Sequence, residues 1–264
     1  MREEQFQQLQ RLTNEIEKVV IGKREVIQMT LTAMLAGGHV LFEDIPGVGK
    51  TVLVKTLAKA IQGQFSRVQF TPDLQPSDIS GVSIYNEQSG QFEFRPGPIF
   101  TTILLADEIN RTAPRTQAAL LEAMSEGHVT IDNHTYALDQ NFFVLATQNP
   151  IEYEGTFALP EAQLDRFLFR LAIGYPVLED ELQLMNGQQE RALADVQPVL
   201  TTTELSQLKQ AVDDVYTDEL VTRYALDLVR ASRVFPGVRL GISPRGGIAF
   251  IKGARAYAMI QGRD

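Results

Sequence analysis

The residues most able to do chemistry lie in a glycine-rich run near the start of the chain. Residues 43–51 read EDIPGVGKT, between the apolar stretch His39–Phe42 and the helical pattern Val52–Ile61. A glycine-rich turn between a strand and a helix lets backbone N–H groups and the helix dipole surround a phosphate. In such a loop Lys50 would reach the β- and γ-phosphates of a nucleotide, and the Thr51 hydroxyl would bind Mg²⁺. The residues predicted to hold the nucleotide here are Pro46, Gly47, Val48, Gly49, Lys50, Thr51 and Val52.

The loop departs from the usual P-loop pattern at one position. A glycine normally stands five residues before the Gly-Lys pair, and Asp44 occupies that place. The atoms that wrap the phosphates lie from Pro46 onward, so the cradle itself is retained. The sequence therefore predicts phosphate binding and leaves the effect of Asp44 on nucleotide affinity open.

A second segment supplies two carboxylates. Asp107 and Glu108 follow the apolar stretch Ile103–Ala106. Ligands of α/β sheets bind at the carboxyl ends of the strands, which would set Asp107 beside the P-loop to hold Mg²⁺ through its water shell. Glu108 would then act as the base that orients an attacking water. This second carboxylate favours hydrolysis over transfer to another acceptor.

Three further polar residues are candidates for sensing the nucleotide. Asn149 ends a third apolar stretch, Arg166 precedes a fourth, and Arg245 stands in the first turn of the last helical pattern. Arg166 could face outward and complete a neighbour's site, a role for which Arg111 and Arg115 compete. Each also has a simpler explanation: a turn asparagine before proline, a local ion pair, or a solvent-facing arginine.

Composition limits the class of protein. The 264 residues are 44% hydrophobic with a net charge of −9, which argues against a surface built mainly to bind nucleic acid. No cysteine is present, and His39, His128 and His134 are too scattered to predict a zinc site. No signal peptide and no apolar run of about 18 residues is found, so a cytoplasmic location with no membrane contact is expected.

Strand and helix patterns alternate through the first two thirds of the chain, which predicts a parallel sheet covered on both faces. The predicted strands are His39–Phe42, Ser66–Phe70, Thr102–Ala106, Phe142–Thr147 and Phe167–Ile173. Between them, helical spacing is found at Glu25–Leu35, Thr51–Ile61 and Thr116–Ser125.

Two insertions and a purely helical pattern after residue 176 complete the predicted organisation. Alternating residues predict β-hairpins within Ser77–Pro98 and His128–Leu138. After residue 176 only helical patterns follow, at Leu178–Leu193, Thr203–Val215, Asp218–Phe235 and Pro244–Ile260, with Thr202 or Thr203 and Asp218 as expected N-caps. We expect an α/β domain over residues 1–176 and a helical domain over 177–264, whose ending directly after a helix is compatible with truncation.

Taken together, these segments resemble the AAA+ ATPases and, within them, the MoxR family. The matching segments are PGVGKT (46–51), LLADEINR (104–111), TQAALLEAM (116–124), ATQNPIEYEGTF (146–157), LPEAQLDRF (159–167) and SPRG (243–246). The stretch from ATQNPIEYEGTF to LPEAQLDRF is far more specific than the P-loop, and the resemblance covers nearly the whole chain.

The resemblance implies a five-stranded αβα core with hairpin inserts, a small helical lid, and a ring, usually of six copies, with ATP between subunits. Lys50 and Thr51 would be the Walker A residues, Asp107 and Glu108 Walker B, Asn149 sensor 1, Arg166 the arginine finger and Arg245 sensor 2. Ile21 and Gly22 would flank the adenine, and the hairpins would point toward the pore or ring face. MoxR-like proteins are regarded as chaperone-like and often act with a von Willebrand factor A domain partner.

Two other functions compete with a protein-remodelling ATPase. A nucleic-acid motor on this core should present lysine or arginine on its hairpins, but the first insert offers only Arg95 and the second offers neither residue. A nucleotide-gated switch without turnover is disfavoured by Glu108. The small number of lysine and arginine residues on the hairpins favours a protein client.

Overall fold

The computed structural model describes residues 2–45, 47–149 and 155–263. Its centre is a five-stranded parallel sheet with the order β2-β5-β8-β1-β9. The five strands are β1 (Val40–Glu43), β2 (Phe65–Gln69), β5 (Ile103–Asp107), β8 (Phe143–Gln148) and β9 (Phe169–Leu171). The other four strands form two hairpins, β3 (Gly81–Asn86) with β4 (Gln91–Pro96), and β6 (His128–Ile131) with β7 (His134–Ala137).

Alternate residues of the central strands belong to two separate hydrophobic clusters. On β5, for example, Ile103 and Leu105 belong to one cluster, and Leu104 and Ala106 to the other. Successive side chains of a strand point to opposite faces, so a strand buried on both sides must be apolar throughout. This explains why the core strands are short continuous apolar runs.

Helices cover both faces. The helices found in the described residues are α1 (Arg2–Glu17), α2 (Arg24–Leu35), α3 (Lys50–Ala60), α4 (Pro76–Ser80), α5 (Pro114–Glu126), α6 (Glu161–Leu164), α7 (Leu178–Met185), α8 (Gln188–Asp195), α9 (Thr202–Asp213), α10 (Glu219–Ser232) and α11 (Pro244–Ile260). Residues of α1, α2, α3, α9 and α11 share one cluster, and α4 and α5 pack on the other. The last helical segments therefore share a core with the α/β part.

The predicted fold class is confirmed, with two local corrections. The N-cap of α9 is Thr201 and not Thr202 or Thr203. Its hydroxyl accepts from the Glu204 N–H while the Glu204 carboxylate accepts from the Thr201 N–H, which forms a capping box. The single helix expected over Leu178–Leu193 is two helices, because Gly187 adopts a left-handed conformation (φ 72°) between them. Asp218 caps α10 as predicted.

The two hairpins touch each other. The rings of Phe94 on β4 and Tyr136 on β7 stack with centroids 4.0 Å apart and an interplanar angle of 25°. Phe94 also meets Phe100 edge-on at 5.4 Å. The inserts are thus joined by an aromatic contact, whereas the sequence showed them only as separate projections.

Candidate nucleotide site

The glycine-rich loop forms an open cradle in front of α3. Gly47 and Gly49 adopt positive φ angles of 87° and 93°, which L side chains rarely do. A Cβ built on either glycine would meet no heavy atom within 4 Å, so space is open beside the loop. Gly49 is also the N-cap of α3 and provides no side chain to bond the first-turn N–H groups. Such groups, together with the helix dipole, are suited to bind an anion.

Lys50, the first residue of α3, is directed to the acidic end of the sheet. Its Nζ donates to the Asp44 carbonyl oxygen at 3.0 Å. Burial lowers the pKa of Lys50, while the nearby carboxylates of Asp44, Asp107 and Glu108 act to raise it. The ammonium therefore lies close enough to all three acidic side chains to feel their charge.

Parallel strand order brings the other predicted residues to the same edge. The strand β8 lies between β5 and β1, and all three run in the same direction. Asp107 at the end of β5, Asn149 after β8 and the loop after β1 consequently meet at the carboxyl edge of the sheet. Thr51 follows Lys50 in α3 and is half-buried.

Asp107 is held by two partners. One carboxylate oxygen accepts from the Thr147 hydroxyl at 2.7 Å, and the other accepts from Arg67 Nη2 at 2.6 Å. Arg67 lies on β2, the strand next to β5. The carboxylate is thus oriented from both sides before any metal binds.

Glu108 has an unusual backbone for a residue that is not glycine, with φ 58° and ψ 50°. Its N–H donates to the Thr147 hydroxyl oxygen at 2.9 Å, and its carboxylate accepts from Gln69 Nε2 at 2.7 Å and Arg111 Nη1 at 3.0 Å. Left-handed backbone at such a residue costs about 1–3 kcal/mol and tends to occur at functional sites. The single Thr147 hydroxyl thus positions both acidic residues.

A cavity of about 410 Å³ continues from the loop toward the N-terminal segment. It is lined by Val20, Ile21, Lys23, Gly47, Val48, Gly49, Ile173, Gly174, Tyr175, Pro176, Glu181, Leu184, Met185 and Gln189. Its size suits a nucleoside, and its walls combine apolar side chains such as Ile21 and Leu184 with polar ones such as Lys23. The cavity therefore extends the phosphate cradle into a space for a base and sugar.

Four of the described residues predicted to bind the nucleotide are not among the cavity-lining residues, namely Gly22, Lys50, Thr51 and Val52. A Cβ on Gly22 would lie 1.8 Å from Asp180 Oδ2, so Gly22 makes room for α7 while its neighbour Ile21 lines the cavity. Val52 packs instead against the larger hydrophobic cluster. Pro46 lies outside the described residues, as do residues 150–154 of the ATQNPIEYEGTF segment.

Arg166 and Arg245 lie elsewhere. Together they line a second cavity of about 580 Å³ that also includes His39, the residue before β1. The P-loop follows the opposite end of β1. The five extended residues 39–43 span roughly 16 Å and separate this cavity from the P-loop. Neither arginine is therefore at the P-loop of its own chain.

Local bonds hold this pair in place. Arg166 Nη1 donates to the Leu121 carbonyl oxygen at 2.6 Å and to the Ser125 hydroxyl. Ser243, the N-cap of α11, donates to Asp165 Oδ2 at 2.8 Å and so ties the start of α11 to the residue before Arg166. The competing arginines have other partners, since Arg111 bonds Glu108 and Arg115 Nη2 donates to Gln75 at 2.6 Å.

Comparison with known proteins places the chain among the AAA ATPases. A model of the ATPase family associated with various cellular activities (AAA) matches residues 39–169, and an AAA lid domain model matches residues 230–264. The chain is 39% identical to the Chaperone MoxR1 of Mycobacterium tuberculosis, over 97% of this chain and 70% of that protein. It is 32% identical to Protein MoxR of Paracoccus denitrificans, over 93% of this chain and 79% of that protein.

The chain belongs to the MoxR family of AAA+ ATPases. An uncharacterised protein of Bacillus subtilis is 53% identical over 94% of this chain and 78% of its own length. A crystal structure of a predicted ATPase from Cytophaga hutchinsonii superposes with a TM-score of 0.90 at 39% identity, over 99% of this chain and 82% of that one.

Sequence reasoning missed several residues of this MoxR-family site. Arg67, Gln69 and Thr147 contact the acidic pair, although each is about 40 positions away along the chain. The polar residues Arg67 and Gln69 were the available signal, because they stand within the segment Ser66–Phe70 that was predicted as a core strand. Knowing that β2 neighbours β5 would have been necessary to use it.

Two kinds of feature are absent from the part of the chain that the structure describes. No helix in residues 2–45, 47–149 and 155–263 is long and apolar enough to span a membrane. The same residues contain no group of three or more His, Cys, Asp or Glu side chains that could hold a metal ion.

Proposed function

We propose that this chain hydrolyses ATP, with Mg²⁺, and uses the energy to remodel or activate client proteins in a chaperone-like manner. The observation that carries the proposal is the position of Lys50, whose ammonium feels the charges of both Asp107 and Glu108 at the mouth of the open glycine cradle. A phosphate-binding lysine beside a metal-binding and a water-orienting carboxylate is the arrangement that nucleotide hydrolysis needs.

Each residue has a distinct role in this proposal. The N–H groups at Gly47 and Gly49 and the Lys50 ammonium bind the phosphates, and the cavity lined by Ile21 holds the base. Glu108 orients the water and accepts its proton, while Asn149 donates its amide to the water or the γ-phosphate. The open cradle fits a bound nucleotide, and Thr51 and Asp107 would hold Mg²⁺, which neutralises charge on the phosphates.

A protein client is favoured by the hairpin surface. On the first hairpin, Phe92 is 73% exposed and Tyr85 is 53% exposed, and their rings meet edge-on at 5.4 Å. Large exposed apolar side chains indicate contact with protein or peptide. A surface that followed a nucleic-acid backbone should instead carry cations, and the two hairpins together contain only Arg95.

We further propose that the active form is a homo-oligomeric ring, usually of six copies, with the nucleotide between subunits. Arg166 and Arg245 line one cavity away from their own P-loop, which supports a role in a neighbour's site. The residue ranges 1–176 and 177–264 would then be the core and the lid of each subunit. A von Willebrand factor A domain protein is the expected partner.

The catalytic proposal is tested with two substitutions. We expect Lys50→Ala to abolish ATP binding in calorimetry, because the phosphates lose their only lysine contact from the cradle. We expect Glu108→Gln to keep ATP binding and to lower phosphate release by about 10²–10⁴-fold, the usual contribution of a general base.

Matched controls are available on exposed faces of the same molecule. Lys55→Ala in α3 and Glu122→Gln in α5 change exposed side chains of the same types and should leave binding and turnover near native values. Normal ATP affinity in Lys50→Ala would contradict the P-loop assignment, and native turnover in Glu108→Gln would remove Glu108 from its role.

A further inference from the structure

Asp44 occupies the place of the first P-loop glycine, and its side chain makes a specific contact. The residue is only 8% exposed, and one carboxylate oxygen accepts hydrogen bonds from the backbone N–H groups of Ile173 and Gly174, the second at 3.1 Å. A carboxylate that accepts from two amides forms charge-assisted bonds, which are stronger than neutral ones. The contact joins segments 129 positions apart in the chain.

The two amides belong to a functionally placed segment. Ile173–Pro176 connects β9 to α7, and all four of its residues line the cavity next to the glycine cradle. We call these four residues the linker. Lys23 Nζ donates to the Tyr175 carbonyl oxygen at 2.8 Å, so the linker is also held from the segment that contains Ile21. The linker is therefore a wall of the space assigned to the base.

The main chain of Asp44 faces the phosphate side. Its carbonyl oxygen accepts from Lys50 Nζ at 3.0 Å, and its N–H donates to the Gln148 carbonyl oxygen at 3.3 Å. Asp44 is not among the described residues with positive φ, so the backbone does not require glycine there. The aspartate consequently replaces a glycine without strain and adds a side-chain contact that glycine cannot make.

We propose that Asp44 is a positioning residue that fixes the linker against the phosphate loop, so that the base and phosphate parts of the site are held at the correct separation. A nucleotide that draws Lys50 toward its phosphates takes the lysine from the Asp44 carbonyl oxygen. The change is then passed through the Asp44 side chain to the linker and to α7. This inference rests on the proposed nucleotide binding and concerns the same site.

The test separates the contribution of the base to the binding affinity from that of the phosphates. Calorimetry compares binding of ATP with binding of inorganic tripolyphosphate in the native chain, Asp44→Gly and Asp44→Asn. Asp44→Gly, which restores the usual pattern, should weaken ATP binding by roughly ten-fold, about the value of one charge-assisted hydrogen bond. Tripolyphosphate binding should not weaken, since the cradle glycines and Lys50 are untouched and the loss of the Asp44 carboxylate removes a negative charge near Lys50.

Two further measurements distinguish positioning from general stability. Asp44→Asn keeps an acceptor oxygen and should recover most of the ATP affinity. Hydrogen–deuterium exchange at the Ile173 and Gly174 amides should be faster in Asp44→Gly than in the native chain. The exposed Asp214→Gly at the C-cap of α9 is the matched control, with native exchange and native ATP affinity.

Three results would overturn the inference. They are native ATP affinity in Asp44→Gly, equal losses of ATP and tripolyphosphate affinity, or unchanged exchange at the Gly174 amide. A native chain that binds neither compound would instead count against the proposed function, so the two failures are distinguishable.

Discussion

At the scale of single residues, His39 is buried in a way that depends on its protonation state. Its Nδ1 accepts from the Val144 N–H at 3.0 Å, and its Nε2 lies 3.2 Å from the Met124 carbonyl oxygen. The neutral form with hydrogen on Nε2 satisfies both contacts. Burial, together with the positive charges of Lys209 and Arg245, lowers the pKa of His39 to about 4 against the opposing effect of the bond to Met124.

This histidine predicts a loss of stability in mild acid. The folded pKa lies below the unfolded value of 6.5, so the unfolded chain binds the proton more readily. The contribution of His39 to the free energy of unfolding is therefore fully present above pH 6.5 and falls by about 3 kcal/mol as the pH drops to 4. Denaturant unfolding at several pH values would measure it.

A variant that lacks only His39 isolates this effect from the titration of the carboxylates. His39→Asn can still accept from Val144, and its free energy of unfolding should vary less between pH 6.5 and 4 than that of the native chain. His134→Asn, at an exposed position, should keep the native pH dependence. Identical pH profiles for His39→Asn and the native chain would contradict the prediction.

At the scale of elements, the aromatic stack between the hairpins should couple them energetically. Stacked ring pairs contribute about 0.5–1.5 kcal/mol beyond their buried area. A double-mutant cycle of Phe94→Leu and Tyr136→Leu on the free energy of unfolding should give a coupling of that size. We expect each single change also to speed amide exchange in the other hairpin.

A second cycle provides the control for the hairpin prediction. Phe94→Leu combined with Tyr224→Leu pairs the hairpin with an exposed side chain of α10, and the two changes should be additive. If both cycles gave zero coupling, the hairpins would be independent elements. A coupling confined to the first cycle would support their movement as one unit.

Much of the element pattern was available from the sequence. The five core strands and α11 lie within two residues of their predicted places, and both hairpins lie inside their predicted ranges, because apolar runs and alternation report directly on burial. The break at Gly187 was missed, since a left-handed glycine within a helical pattern depends on backbone context. The sharing of one core by α9, α11 and the sheet was also missed, because an apolar stripe does not say which neighbour covers it.

The candidate site was likewise predictable where it depends on local patterns and not where it depends on tertiary contacts. Lys50, Asp107 and Glu108 were recognised from local patterns. Their alignment by Thr147 was not, because it depends on the pairing of β5 with β8, which local patterns do not encode. The contact of Asp44 with the linker, between positions far apart in the chain, was invisible for the same reason.

At the scale of the whole molecule, the arginine cavity predicts that activity depends on pairs of subunits. In a ring, Arg166→Ala subunits keep Glu108, and Glu108→Gln subunits keep Arg166. Mixing the two inactive variants should restore part of the ATPase activity, because some interfaces then combine both intact residues. Phosphate release by the mixture, compared with each variant alone, measures the effect.

The control mixture lacks any intact interface. Glu108→Gln mixed with the double variant Glu108→Gln, Arg166→Ala should stay inactive at the same state of assembly. No gain of activity in the first mixture, with assembly matched by sedimentation, would sink the proposed role of Arg166 across an interface.

The two outer strands limit how copies of this chain can meet. At one side of the sheet β9 has only three residues, and at the other β2 carries the polar side chains of Arg67 and Gln69. Short, charged edges discourage one sheet from continuing into another. Assembly must then proceed through helices and hairpins, which leaves each sheet a closed unit. Uncontrolled fibre growth by strand addition is thereby disfavoured, even when many copies crowd together.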